Sequence, residues 1–531
     1  MTPQSIQSRF ASPLPLFFLG RNDVIKFELK PYLQPFEQEL AMRELHAVAG
    51  QEAQIGKENG LWIAKTNVSE EFLRSRLTYW QRVGRTELVP TLQKALEFTQ
   101  YGMAQAMEQT NLHRTRRLRY GPHNLHEYRG KFFPQLVRSL INISCISEKS
   151  LVLDPMCGSG TTPCEAVVAG MSALGADLNP LSSLVSRVKS SIPKISPKDF
   201  EKKTTDQLSK FEFREIDSST LWNKNDLLYL EMWFDFEALQ ELAAIISEIN
   251  KIRPFIYRDF FRVCFSNVVR SVSWQKSTDL RVRKEVVRYS KGTAQKKFLA
   301  EVNAQINRIY PYLSVLNFEE TGFVNIRNGD AIDVFSVFPE YRSKVDLLVT
   351  SPPYATALPY LDTDRLSLIL LGLLPRKRHR ETEHDMIGTR EITEKERCTA
   401  WNTYVAHRVE LPKEISALID KIAATNHGDG IGFRRRNLPA LLGKYFFSML
   451  NAMRSAHKLM KPGSLGYYVV GNNSTNINGE KIDIPTDHFL FALGKTAGWT
   501  PIQKIPMELI VSRDIFRKNR GSSETILCFR A

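Results

Sequence analysis

The feature that most constrains the fold is a short apolar run leading into a glycine turn, Leu151-Val-Leu-Asp-Pro-Met-Cys-Gly-Ser-Gly-Thr-Thr162. The apolar residues predict a β-strand that ends at Asp154 and Pro155. Gly158 and Gly160 then allow the backbone to turn sharply and to lie close to a bound ligand. This arrangement predicts an α/β fold with a nucleotide-type site, although a βα turn with incidental glycines is the alternative for this loop alone.

The residues after the turn continue a βαβ pattern. A helix predicted from Thr161 to Ala169 would direct its unpaired N–H groups and the positive end of its dipole at the loop. A second predicted strand, Ser172 to Leu178, contains Asp177 near its end. Nucleotide-binding βαβ units place an acid at about this distance, where it holds a ribose hydroxyl.

A second strand and loop lie far downstream. Val345 to Thr350 is an apolar run of the kind expected for a sheet strand covered on both faces, and Ser351-Pro-Pro-Tyr354 follows it. Two successive prolines remove two backbone donors and hold Pro352 extended, so its carbonyl can point into a cleft. With the Ser351 hydroxyl and the Tyr354 ring, that carbonyl suits a nucleobase amino group. The alternatives are a plain strand end or a proline-rich docking motif.

Together the two motifs resemble those of a known enzyme family. Asp154-Pro-Met-Cys-Gly-Ser-Gly-Thr-Thr162 with Thr350-Ser-Pro-Pro-Tyr354 is similar to the class I S-adenosylmethionine methyltransferases that methylate amino groups of DNA, above all the cytosine-N4 group. His126-Glu-Tyr-Arg-Gly-Lys-Phe-Phe-Pro134 resembles the segment that these enzymes place just before the cofactor loop. The resemblance covers residues 120–190 and 323–375, and more loosely 439–531.

The resemblance implies S-adenosylmethionine as cofactor and roles for the matching residues only. Asp154, Gly158 and Gly160 would lie at the methionine end of the cofactor. Asp177 would lie at its ribose, Asp330 near its adenine, and Phe132 beside it. The predicted cofactor-binding residues are Phe132, Asp154, Pro155, Gly158, Gly160, Thr161, Asp177 and Asp330.

The predicted catalytic residues are Ser351, Pro352, Pro353 and Tyr354. Hydrogen bonds from the target amino group to the Pro352 carbonyl and the Ser351 hydroxyl would make its nitrogen pyramidal and nucleophilic. The target base would be flipped out of the duplex and would stack on Tyr354. No covalent nucleophile is needed, so Cys157 is assigned no role.

Ser351 favours cytosine, because the adenine-N6 and tRNA guanine-N2 enzymes of the resembling family mostly carry Asp or Asn at this position. Adenine-N6 methylation of DNA and guanine-N2 methylation of tRNA stay open as alternatives, as does a catalytically silent DNA-binding protein. The expected partners are double-stranded DNA and a possible cognate restriction endonuclease, in a restriction-modification or related system that marks host DNA.

Composition agrees with a nucleic-acid partner. The 531 residues carry a formal net charge of +15 and have a pI near 9.4, which favours anionic partners. The six cysteines show no zinc spacing, so no metal is expected. No apolar run approaches about 18 residues and no basic leader precedes Leu14 to Leu19, which predicts a cytoplasmic protein without a membrane span.

Residues 1–110 predict a separate α+β module of unknown role. Its predicted elements are a strand at Leu14 to Leu19, a helix at Phe36 to Val48, a strand at Leu61 to Thr66, and helices at Glu70 to Gly84 and Leu88 to Tyr101. A basic run follows, with Arg114, Arg116, Arg117 and Arg119. It is either a phosphate contact or a solvated surface.

Residues 191–322 interrupt the sheet that begins in residues 111–190. Helices are predicted at Lys198 to Phe211, Asp235 to Asn250 and Tyr257 to Val269. From Arg270 to Lys297 there are nine Lys or Arg against two acids, which favours DNA contact over a solvated helix. The predicted nucleic-acid-binding residues are Trp274, Lys276, Arg281, Arg283 and Lys284.

The remaining chain should complete a Rossmann-like seven-stranded methyltransferase sheet. Residues 323–375 begin with a strand at Phe323 to Asp330. Residues 376–438 predict a basic loop, either ordered by a polyanion or merely solubilising. Residues 439–531 predict the following elements: a helix at Pro439 to Met460 stopped by Pro462-Gly463, a strand at Leu465 to Gly471, a helix at Thr486 to Ala497, and strands at Met507 to Val511 and Thr525 to Arg530.

Overall fold

The computed structural model describes residues 24–99, 117–128, 130, 132–276, 283–316, 322–355, 360–426, 432–477, 480–507 and 524–531. Its first part is an α+β unit. The elements of this unit are β1 (Val24–Leu29), α1 (Pro35–Ala49), β2 (Gln54–Glu58), β3 (Leu61–Lys65), α2 (Glu70–Arg76), β4 (Trp80–Gly84), β5 (Val89–Pro90) and α3 (Leu92–Glu97). The strands pair antiparallel in the order β2-β3-β1-β4-β5.

Two helices predicted in this unit are shorter than expected. The helix predicted over Glu70 to Gly84 ends at Arg76, and its second half is the strand β4, because Trp80 packs edge-on against Phe27 of β1. Within Leu88 to Tyr101, a short strand precedes a helix that begins only after Thr91, whose hydroxyl accepts the Lys94 N–H. The predicted strand at Leu14 to Leu19 lies outside the described residues.

The βαβ unit around the glycine turn forms as predicted, with small shifts at its ends. It is preceded by a helix that begins at Pro134, and α1 packs against this helix. The elements are α4 (Pro134–Ile143), β6 (Leu151–Asp154), α5 (Thr161–Val168), β7 (Ser172–Asp177) and α6 (Pro180–Ser191).

The next part of the chain is mainly helical and has its own core. Its helices are α7 (Pro197–Leu208), α8 (Lys224–Glu231), α9 (Phe236–Lys251), α10 (Phe255–Val272) and α11 (Thr293–Val315). Apolar side chains of these helices are buried against one another and against α6, as Leu242, Phe261 and Phe298 show. The three predicted helices of this part correspond to α7, α9 and α10.

The chain then returns to the sheet and enters a second helical region. The elements are β8 (Val324–Asn328), α12 (Val334–Val337), β9 (Val345–Thr350), α13 (Tyr360–Leu370), α14 (His379–Asp385), α15 (Glu394–His407), α16 (Lys413–Thr425) and α17 (Phe433–His457). The prediction of a basic loop over residues 376–438 is wrong for its described part. Tyr404 and Ile419 are fully buried in a core shared with α17, and this burial holds α15 and α16 as helices.

The final elements complete the main sheet and add a separate pair of strands. They are β10 (Met460–Gly471), β11 (Asn473–Ile477), β12 (Glu480–Ile484), α18 (Thr486–Thr496), β13 (Thr500–Met507) and β14 (Glu524–Arg530). Strands β10, β13 and β14 belong to the main sheet, whereas β11 and β12 pair antiparallel with each other. Helix α17 begins six residues before Pro439, so this proline lies inside the helix. Of the strand predicted at Met507 to Val511, Met507 belongs to β13 and pairs with Glu524 of β14, and residues 508–511 lie outside the described residues.

In the described residues the main sheet has seven strands in the order β13-β14-β10-β9-β6-β7-β8. Neighbouring strands from β10 to β8 run parallel, whereas β14 is antiparallel to both β10 and β13. Leu153 and Leu348 belong to the core on one face, and Val152 and Leu347 to the core on the other. This is the methyltransferase-like α/β fold predicted from the sequence, with its strand order reversing between β6 and β9.

Among the described helices, none combines the length and the apolar character that a membrane span needs.

Candidate active site

A cleft opens at the carboxyl ends of the central strands. It lies where the strand order reverses, which is the place where open α/β sheets bind ligands. The glycine turn after β6 and the double proline after β9, nearly two hundred residues apart in sequence, line this one cleft. The predicted site residues that line it are Phe132, Asp154, Pro155, Gly158, Thr161, Asp177, Asp330, Ser351 and Pro353.

The two glycines shape the loop in different ways. Gly158 (φ +49°) faces the cleft, and an added Cβ would lie 3.0 Å from the Tyr128 ring. Gly160 (φ +79°) is not among the cleft-lining residues; its added Cβ would lie 2.4 Å from Ser186 Oγ on α6. Gly160 therefore packs the loop against α6, and Gly158 leaves room beside the cleft.

Asp154 joins the two loops. Its Oδ1 accepts hydrogen bonds from Thr350 Oγ1 at 2.6 Å and from the Met156 N–H at 3.2 Å. Burial raises the pKa of Asp154 to about 7, although hydrogen bonds from Thr350 and Thr162 act in the opposite direction. A carboxyl that is half protonated near neutral pH can hold a cationic or hydrogen-bonding ligand group without carrying a full charge.

Asp177 stabilises the glycine turn directly. Its Oδ2 accepts the Gly158 N–H and its Oδ1 accepts the Asn179 N–H, both at 2.9 Å. Burial raises the pKa of Asp177 to about 6, and these two backbone hydrogen bonds oppose the rise. A carboxylate can accept further hydrogen bonds, so Asp177 can serve the loop and a ligand hydroxyl together.

Asp330 and Phe132 lie at other parts of the cleft wall. Asp330 follows β8 and is half-buried, and its Oδ1 accepts the Ile332 N–H at 2.9 Å. Burial raises the pKa of Asp330 above its ordinary value. Phe132 is also half-buried and supplies a flat apolar face just before α4.

The Ser351–Tyr354 loop is held by later parts of the chain. The Tyr445 hydroxyl on α17 donates to the Pro353 carbonyl at 3.0 Å. The Tyr354 hydroxyl donates to the carboxylate of Glu524 at the start of β14, and the Tyr354 ring fills the space beside Gly471. Pro352 is buried; neither it nor Tyr354 is among the cleft-lining residues.

Sequence reasoning missed part of the cleft wall. Tyr128 and Gly130 lie within the segment quoted for the resemblance, so that segment was the available signal. Met386 and Ile387 come from the region predicted as a basic loop, where no sequence signal pointed to the cleft. Within the described part of the chain, no group of three or more His, Cys, Asp or Glu side chains could hold a metal ion.

The described residues among those predicted to contact nucleic acid lie on two short segments joined by an isolated antiparallel bridge, and not on a helix. Gln275 pairs antiparallel with Lys284, the Lys276 N–H donates to the Arg283 carbonyl at 2.9 Å, and the Glu285 N–H donates to the Trp274 carbonyl at 2.7 Å. We call residues 274–276 and 283–287 the basic hairpin; Arg281 lies outside the described residues. The Lys284 ammonium lies 4.8 Å from the Trp274 ring centroid.

Two of the four arginines in the basic run before α4 belong to the described residues. Arg117 lies over the Phe98 ring at 5.1 Å, so its guanidinium packs against the N-terminal unit. Arg119 is exposed. Arg114 and Arg116 lie outside the described residues.

Comparisons with known proteins agree with this fold. The UPF0020 family model, an RMKL-like methyltransferase domain, matches residues 125–193. The Type II methyltransferase M.MvaI from Kocuria varians is 26% identical over 394 residues, which is 70% of this chain and 81% of that protein. The Type II methyltransferase M.MjaII from Methanocaldococcus jannaschii is 33% identical over 129 residues, which is 24% of this chain and 21% of that protein.

Among solved structures, TrmN from Thermus thermophilus covers 96% of this chain and 99% of its own chain at 11% identity, with a TM-score of 0.32, too distant a likeness to bear on function. The chain has a methyltransferase-like α/β fold, and the matched family model and the Type II relatives support a methyltransferase.

Proposed function

We propose that this protein transfers a methyl group from S-adenosylmethionine to the exocyclic N4 of cytosine in double-stranded DNA. The observation that carries the proposal is the meeting of two loops in one cleft. The glycine turn at 158–160 is suited to a nucleoside cofactor, and Ser351-Pro-Pro-Tyr354 is suited to an amino group.

The cleft residues fit the cofactor chemically. Asp177 is the last residue of β7 and Asp330 follows the neighbouring β8; the two offer acceptors for ribose hydroxyls and the adenine edge. Phe132 offers an apolar face to the adenine. When bound, S-adenosylmethionine supplies an electrophilic methyl group.

The residues of the second loop prepare the acceptor. The nitrogen of a cytosine amino group is a poor nucleophile because its lone pair is delocalised into the ring. Hydrogen bonds to the Ser351 hydroxyl and the Pro352 carbonyl favour a pyramidal nitrogen, whose lone pair is directed at the methyl group. In this proposal the Tyr354 ring, which lies beside Gly471 and outside the cleft lining, stacks on the flipped base when DNA binds. The Tyr445 hydroxyl positions the loop through the Pro353 carbonyl.

DNA as the substrate is supported by the relatives and by charge. M.MvaI and M.MjaII are Type II methyltransferases, and the net charge of this chain is +15. The basic hairpin presents exposed Lys276, Arg283 and Lys284 around Trp274, a combination that can pair with phosphates and stack on bases. A restriction endonuclease partner stays a prediction.

A labelling experiment tests the proposal. The protein is incubated with S-adenosylmethionine labelled in its methyl group, together with duplex DNA in one reaction and with tRNA in another. The nucleic acid of each reaction is then digested to nucleosides. We expect the label in N4-methylcytosine from DNA. Label in N6-methyladenine or in tRNA N2-methylguanine would replace the cytosine assignment by one of its alternatives, and DNA binding without any label would support a silent binding protein.

A further inference from the structure

A buried lysine lies directly beneath the cofactor loop. Lys189, in the last turn of α6, is 2% exposed, and its Nζ donates a hydrogen bond to Thr161 Oγ1 at 3.0 Å. Thr161 is the first residue of α5 and lines the cleft. The ammonium group therefore lies one hydroxyl away from the ligand space.

This contact determines how the Thr161 hydroxyl can act. An ammonium group can only donate, so the Thr161 oxygen is the acceptor in their hydrogen bond. The hydroxyl has one proton left to donate, and no other partner of Thr161 Oγ1 is recorded within the described ranges. Because Thr161 lines the cleft, a bound ligand can supply the acceptor for that proton.

The charges near Lys189 identify the kind of acceptor. The α5 N-terminus adds the positive end of its dipole to the Lys189 cation at this part of the cleft. The acidic residues that line the cleft are Asp154, Asp177 and Asp330, whereas Lys189 and the α5 N-terminus supply positive charge at Thr161. A ligand with an anionic end is therefore favoured at Thr161, and in S-adenosylmethionine that end is the carboxylate of the methionine part.

Other charged groups lie on the elements packed around α6 and α5. Glu165 on α5 is 2% exposed, and its carboxylate lies 2.7 Å from His123 Nε2. Arg138 on α4 donates to the Glu165 backbone carbonyl at 3.0 Å. Burial lowers the pKa of Lys189 to about 8, while Cys164, Glu165 and Cys157 act in the opposite direction.

We propose that Lys189 is a positioning residue that acts through Thr161 and directs its hydroxyl proton at the carboxylate of the bound cofactor. This inference rests on the proposed cofactor. Lys189 touches neither the cofactor nor the substrate; it orients and polarises the group that does.

The test measures binding, independently of methyl transfer. Affinities for S-adenosylhomocysteine, which keeps the carboxylate, and for 5′-methylthioadenosine, which lacks the amino-acid end, are measured by calorimetry for wild type, Lys189→Met, Lys189→Arg, Thr161→Val and the double variant Lys189→Met with Thr161→Val. Thermal unfolding of each variant shows whether it is folded.

We expect Lys189→Met to weaken S-adenosylhomocysteine binding about tenfold and to change methylthioadenosine binding by less than about twofold. In the Thr161→Val background, Lys189→Met should have no further effect, because the hydroxyl through which it acts is gone. Lys189→Arg keeps a cation and should recover part of the affinity.

The pH dependence gives a second readout. As pH rises through about 8 the wild-type lysine loses its charge, so S-adenosylhomocysteine affinity should fall there more steeply in wild type than in Lys189→Met. The ligand's own amino group titrates equally in both proteins and cancels in the comparison.

Equal weakening of both ligands by Lys189→Met, or additive effects of the two substitutions, would overturn the inference, since either result means that Lys189 only supports the fold. Failure of the proposed function is distinguishable from this result. In that case the wild-type protein and its variants show the expected binding pattern, but the wild-type protein transfers no label to DNA.

Discussion

At the scale of single residues, the two cleft-loop glycines have separable roles, and Gly160 offers a sharp test. In Gly160→Ala the new Cβ would lie 2.4 Å from Ser186 Oγ, at a φ of +79° that already disfavours side chains. We expect S-adenosylhomocysteine affinity to fall at least tenfold, because the loop must move away from α6. The matched control is Gly60→Ala, at a φ of +82° with nothing within 4 Å of its Cβ.

Gly60→Ala carries the same backbone cost of about 1 kcal/mol but should leave ligand affinity unchanged. Equal affinities for the two variants would show that the packing of Gly160 on α6 does not determine the shape of the cofactor loop. Calorimetric titration and thermal unfolding of both proteins are sufficient to decide.

Tyr354 is the residue whose predicted role differs most from its position in the structure. Its hydroxyl donates to Glu524 and its ring lies beside Gly471. Stacking therefore requires either that the flipped base reaches the ring in this position or that the ring moves when DNA binds. Tyr354→Ala should abolish methyl transfer and leave cofactor affinity intact, whereas Tyr354→Phe keeps the aromatic face and should retain most of the activity. Loss of cofactor affinity in Tyr354→Ala would contradict a role limited to the substrate base.

At the scale of elements, the basic hairpin can be tested as a unit. If Arg283 and Lys284 contact DNA phosphates, the double substitution Arg283→Ala with Lys284→Ala should weaken DNA binding and reduce the slope of log affinity against log salt by about 2. Cofactor affinity should not change, since none of the hairpin residues lines the cleft.

The N-terminal unit supplies a control for the hairpin. Lys57 lies 5.7 Å from the Trp62 ring centroid, much as Lys284 lies over Trp274. Lys57 and Trp62, however, belong to the five-stranded sheet of the N-terminal unit. Lys57→Ala should leave both DNA affinity and the salt slope unchanged. If it lowers DNA affinity as much as substitution in the hairpin, the binding surface is diffuse charge and the hairpin has no special part in it.

At the scale of the whole molecule, local patterns predicted the parts of the fold that are locally encoded. The run Leu151 to Leu153, the glycines after it and the double proline after β9 each carry their own signal, so the two loops and their strands could be placed from sequence. Trp80 and Tyr404 belong to elements that could not be predicted from the local sequence. Trp80 belongs to a strand because it packs on Phe27, and Tyr404 to a helix because α17 covers it. Met386 lines the cleft through the same kind of long-range packing, which leaves no mark on the local pattern.

The buried acids of the cleft connect the site with the stability of the whole fold. Burial raises the pKa of Asp154 from 3.8 to about 7, so the folded chain binds this proton more tightly than the unfolded chain. The resulting stabilisation is complete below the unfolded pKa and is lost as pH rises through about 7. Asp177, with a pKa raised to about 6, acts in the same direction.

Asp154→Asn removes one of these two contributions. The amide oxygen can still accept from Thr350 Oγ1 and the Met156 N–H, but it carries no charge at any pH. Since one pKa unit corresponds to about 1.4 kcal/mol, we expect the variant to be more stable than wild type by at least this amount near pH 8, with the difference vanishing towards pH 4. Urea unfolding without ligand at several pH values measures it. If the free energy of unfolding depends on pH in the same way in both proteins, Asp154 ionises at no cost to the fold. If the variant gains stability but loses cofactor affinity, the chain keeps a destabilising acid here because the cofactor needs it.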